Sequence, residues 1–175
     1  METVTGVVLD DPLLPFLPAA DLKWITHAVT YSGLLLGIVS LCFYPFAFVL
    51  AVRSSVLVIV LRIVCRGVLP LDPPAGVIPL VDPIIQLPLA HPNLIRDLFF
   101  CWQTAAMTLF ALTVEGRDLK LIFSVFGVIV SFLLLLQHAQ YTISVVAAPC
   151  FVYAAYGISR SFTVGGSGPG VAGLR

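Results

Sequence analysis

Residues 24–52 read WITHAVTYSGLLLGIVSLCFYPFAFVLAV, 29 residues without a formal charge between Lys23 and Arg53. At 1.5 Å per residue, such a helix is longer than the roughly 30 Å hydrocarbon core of a bilayer, so the stretch predicts a membrane span that tilts or kinks. Pro45 is the place for the kink, because proline inside a helix removes a hydrogen bond and crowds the preceding turn. Lys23, Trp24 and Tyr31 at its start have the character of interfacial anchors.

The whole chain agrees with that reading. Of its 175 residues 59% are hydrophobic and 10% charged, with a mean hydropathy of +1.07, far from the composition of a soluble domain. Nine basic and nine acidic residues cancel, so no net field draws nucleic acid, which is excluded as a partner. Cys42, Cys65, Cys101 and Cys150 stand singly in apolar runs, which reads as small buried hydrophobes rather than a metal site or a disulfide framework. The segment 1–23 is acidic and broken by prolines, without the basic start of a secretory signal or the Arg/Ser-rich pattern of a transit peptide. If the protein is imported into an organelle, its internal helices must carry the address.

Further spans are expected over 98–114, 119–137 and 141–159, with the charged turn EGRDLK (115–120) between the first two and Pro149 bending the last. Residues 54–69 form a shorter run in which Arg62 and Arg66, one helical turn apart, share a face. An arginine at the bilayer centre costs about 2.5–3.5 kcal/mol, so this run reads as an interfacial helix or an extension beyond the first span. The expected fold is therefore an all-α integral membrane protein with four transmembrane helices, or five if 54–69 also crosses. A glycine-rich tail, 160–175, ends the chain. Lys and Arg divide five to four between the two faces of a four-span arrangement, so the positive-inside rule assigns no orientation.

Between these spans lies LPLDPPAGVIPLVDPIIQLPLAHP, residues 69–92. Its prolines forbid a helix and leave backbone groups unpaired, so it cannot face lipid, while its Leu, Ile and Val would not lie bare in water. The segment 70–92 reads as a contact strap lying along protein, with Pro79, Ile84, Ile85 and Pro88 as its contact residues. Gly33-x-x-x-Gly37, and Gly127-x-x-x-Ser131 further on, are small-residue pairs that let helix backbones approach closely in lipid.

Candidate chemistry is sparse. No Asp, Glu or Lys lies near the middle of a clear span, which disfavours a pump or a proton-coupled carrier. His27 and His138 lie at span ends, where a haem or quinone contact competes with simple interfacial hydrogen bonding. Arg62 and Arg66 could grip a lipid phosphate such as that of cardiolipin. No metal site and no nucleotide or hydrolase motif is present in the sequence. The expectation is a noncatalytic accessory subunit packed among other membrane subunits of a large complex, a respiratory-chain or ATP-synthase complex of the mitochondrial inner membrane. The alternatives are a haem- or quinone-contacting membrane anchor and a small independent carrier or lipid-handling protein of the endomembranes.

Overall fold

A computed structural model describes residues 9–11, 13–68 and 100–165. These fold into a short 3-10 turn, Leu14–Phe16, and five α-helices: α1 Lys23–Cys42, α2 Pro45–Val68, α3 Trp102–Thr113, α4 Arg117–Leu136 and α5 Thr142–Gly165. Among the described residues there is no strand, and α1, α2, α4 and α5 are long and apolar enough to cross a membrane. The chain is an all-α membrane-integral protein. The proline-rich strap, with Pro79, Ile84, Ile85 and Pro88, lies outside the described residues.

Among the described residues the helices of span length number four, but the set differs from the expectation. Residues 24–52 are not one kinked helix. Helix α1 stops at Cys42, and Pro45 opens α2. A residue before proline is pushed out of the helical region, so Tyr44 cannot continue α1, whereas proline at the first position of a helix loses no bond. The Tyr44 carbonyl accepts the first bond of α2 from Phe48 N–H at 2.9 Å, and Tyr44 N–H donates back to Leu41 at 3.0 Å. The two helices double back: Leu41 packs with Ala47 and Ala51, while Val29 shares a cluster with Leu57, Val58 and Leu61. The separate interfacial helix expected over 54–69 is thereby absorbed into α2.

The 98–114 span is likewise corrected. Helix α3 has 12 residues, about 18 Å, too short for the hydrocarbon core. It is instead enclosed, touching each of the other four helices. Met107 and Cys101 are wholly buried, and the polar Gln103, Thr104 and Thr113 are buried with them. Thr104 and Ser131 of α4 bond at 2.9 Å; since Ser131 donates to the Gly127 carbonyl at 2.6 Å, Thr104 is the donor to Ser131 and can accept from the Cys101 thiol at 3.1 Å. Thr108 of α3, like Ser40, Ser54 and Ser55 of α1 and α2, donates to the carbonyl four residues back, which removes the cost of an unpaired hydroxyl in an apolar layer.

Contact between α1 and α3 depends on the two glycines of the first span. A Cβ on Gly33 would lie 2.7 Å from the Met107 sulfur, and one on Gly37 would lie 2.6 Å from the Phe110 ring. Phe110 is itself buried and tilted against Phe123, ring centroids 5.3 Å apart. Gly33 and Gly37 therefore receive side chains of this chain's own α3. The cysteines divide: Cys101 is buried and Cys65 half-buried, but Cys42 and Cys150 are exposed on outward faces, where lipid accepts a thiol as readily as a core does.

Gly37→Ala should therefore destabilise the bundle by about 1–3 kcal/mol, the usual cost of overpacking a closed core. Gly157→Ala, where an added methyl meets nothing within 4 Å, should not lower the midpoint, since alanine suits an open helical position better than glycine. Denaturation in mixed micelles followed by circular dichroism measures both.

Candidate functional site

Two places gather polar or cavity-forming groups. The first is the end of the bundle where α4 turns into α5. Helix α4 closes with a Schellman motif: Ala139 N–H bonds the Leu134 carbonyl at 3.1 Å and His138 N–H bonds that of Leu135 at 3.0 Å. This motif needs a left-handed residue, usually glycine, and here His138 fills it with φ 52°. Histidine tolerates that conformation better than most side chains, and its Nε2 is held 3.1 Å from the Leu17 carbonyl.

The N-terminal segment crosses this turn and satisfies what the helix ends leave open. Ala20 N–H reaches the Leu136 carbonyl at 3.0 Å, the last one of α4. Asp11 sits at the start of α5, accepting from Thr142 N–H at 2.6 Å and from the Thr142 hydroxyl at 2.8 Å, and also from Leu13 N–H at 2.9 Å. Burial raises the Asp11 pKa, but these bonds and a longer one from Leu14 N–H outweigh it and hold the carboxyl below its ordinary value. The N-terminus of a helix favours that negative charge as well. Nothing in the sequence singled out Asp11; the Asp-Pro pair of LDDP signals only a turn.

His27 is buried on α1, stacked on Tyr31 with ring centroids 5.9 Å apart. Beside it Thr26 accepts a hydrogen bond from the Gln137 amide and donates to the Leu22 carbonyl. His27 Nε2, Thr30 Oγ1 and Gln137 Oε1 are buried without a hydrogen-bond partner among the described residues. Of the two sequence-selected histidines, His138 is committed to the turn and the N-terminal segment, and His27 is buried and stacked on Tyr31 of its own helix; the structure does not bring the two into one site.

The second place is a lateral cleft of about 430 Å³ between α1, α2 and α3. Leu34 and Ile38, Val52 and Ile59, and Ala106 and Leu109 form its three walls, and Arg62 with Trp102 lies at one end. Arg62 is half-buried, three residues before the end of the α2 span at Cys65. Arg66 follows on the same helix. The other α2 arginine departs from expectation: Arg53 is not a boundary residue between two helices but lies about 12 Å inside the Pro45 end of a span about 30 Å long. It is exposed on the outward face, in one stripe with the exposed Val49, Val56, Val60 and Ile63.

No family model, curated protein or solved structure matches the chain. Among the described residues no group of three or more His, Cys, Asp or Glu is arranged to hold a metal ion.

Because the folded-state pKa of Asp11 is lowered, its stabilising effect is complete above a carboxylate's ordinary pKa of about 4 and is lost as pH falls through the lower folded value. The protection factors of the Leu13 and Thr142 amides, their exchange rates relative to the intrinsic rate at each pH, should therefore fall on acidification. Asp11→Ala should abolish that pH dependence and weaken closure of this end by about 0.5–2 kcal/mol, as for loss of a helix cap.

Proposed function

We propose that this chain is a noncatalytic accessory subunit of a larger membrane complex, packed among neighbouring subunits rather than working alone. The observation that carries the reading is the outward face of α2, where Arg53 interrupts an exposed apolar stripe well inside the span. Hydrocarbon disfavours a guanidinium exposed at that depth by about 2.5–3.5 kcal/mol, whatever it bonds within the chain, and a neighbouring protein surface would cover it. The internal polar groups support the same reading from the other side. Asp11, Thr26, Gln137 and His138 hold the chain to itself, closing helix ends and joining helices. Such groups build a fixed body rather than a conducting route.

A respiratory-chain or ATP-synthase complex of the mitochondrial inner membrane suits this chemistry, because assemblies of that kind are ringed by small, nearly uncharged helical chains; this step is analogy of architecture.

A C-terminally tagged chain, solubilised from its native membrane in mild detergent and run on blue-native gels, should migrate in a band far larger than its own 18.8 kDa. Arg53→Glu should release it from that band while it stays resistant to alkaline extraction, and Arg53→Lys should retain it. Migration of the wild-type chain as a small species alone would overturn the subunit reading.

A further inference from the structure

We propose that the lateral cleft between α1, α2 and α3 is a binding site for an anionic phospholipid, with one acyl chain lying along the cleft and the headgroup phosphate held by Arg62. This site belongs to the chain itself and stands or falls independently of the accessory-subunit reading.

The shape argues for a chain-like apolar ligand. Along α2 the cleft extends from Phe48 to Arg62, about 21 Å at the helical rise, against about 15 Å for the hydrocarbon of one leaflet. Its volume of about 430 Å³ falls within the roughly 300–1,000 Å³ of small-molecule sites. The walls are formed by spanning helices and by α3 enclosed between them, so what reaches the cleft sideways comes from the bilayer. The small side chains of Ala51, Ala105 and Ala106 hollow it out where larger residues would have closed it.

The charge argues for the headgroup. Among the described lining residues Arg62 is the one ionisable side chain, and it lies a turn inside the span end, from where its stem can carry the guanidinium to the phosphate layer. A planar guanidinium suits a phosphate through paired hydrogen bonds. Among the described residues no carboxylate lines the cleft, so this wall offers a choline cation no counter-charge, whereas the several N–H donors of a guanidinium can engage an anionic phosphate. Trp102 at the same end has the amphipathic ring that favours headgroup level.

Trp102 also supplies the probe. The chain has two tryptophans, and Trp24 is exposed away from the cleft, so Trp24→Phe leaves Trp102 as the sole emitter. The full-length Trp24→Phe chain is reconstituted in phosphatidylcholine vesicles with increasing fractions of lipid brominated on its acyl chains, either phosphatidylglycerol or phosphatidylcholine. Brominated phosphatidylglycerol should half-quench Trp102 at a mole fraction about tenfold lower, the ratio one charge-assisted hydrogen bond supplies. Arg62→Gln should remove that difference, and Arg117→Gln, on the far turn, should preserve it. Ala106→Phe should reduce quenching by both lipids with helix content unchanged. Equal quenching by the two lipids in the Arg62 chain would mean unselective lipid contact and overturn the site. No quenching by either would mean that protein covers the cleft, and would overturn it too.

Discussion

Everything in this bundle depends on enclosing a helix that is too short for its surroundings. Helix α3, 12 residues long, cannot carry its ends to water on both sides of a hydrocarbon layer, and its buried Gln103, Thr104 and Thr113 cannot face lipid. The other helices solve both problems by surrounding it. Gly33 and Gly37 let α1 come close enough for Met107 and Phe110 to fill the space a side chain would occupy, and Ser131 of α4 accepts the Thr104 hydroxyl. Lipid provides no hydrophobic drive to bring helices together, so close approach and internal hydrogen bonds must do so.

The same constraint explains the ends. Helix termini leave backbone groups unpaired, and the α4–α5 turn has too few residues to satisfy its own. The Schellman motif at His138 takes two carbonyls, Ala20 takes another, and Asp11 takes the first amide of α5. The N-terminal segment is therefore part of the folded body, joined to residues more than a hundred positions away. Enclosure of α3 leaves a cost on the other flank, where α1, α2 and α3 meet over alanines and do not close. That opening and the arginine at its end are two results of one packing arrangement.

Much of the architecture was legible from the residues. Uncharged runs of span length follow from the cost of charge in hydrocarbon, so the membrane class, the α4 and α5 helices and the charged turn between α3 and α4 could be read directly. The Gly116 turn, with φ 96°, also sits where the glycine stands in EGRDLK. The chain up to Val68 was less legible: hydropathy is blind to the difference between a proline that kinks a helix and one that ends it, since both leave the apolar run intact. Pro45 and Tyr44 therefore turned one expected span into two helices, and Arg53 moved from a boundary to the interior of a span. Hydropathy is equally blind to enclosure, so 98–114 read as a span although α3 packs against all four of the other helices.

By itself the sequence determined that this is a helical membrane protein without net charge, because composition and run length decide which solvent a chain tolerates. Only the tertiary structure decided which apolar runs cross and which are enclosed, which glycines receive a ring, and that Asp11 closes α5. Those outcomes rest on contacts between residues far apart in the chain. Lateral packing, rather than hydropathy, also placed Arg53 within a lipid-depth stripe and Arg62 at the end of a cleft.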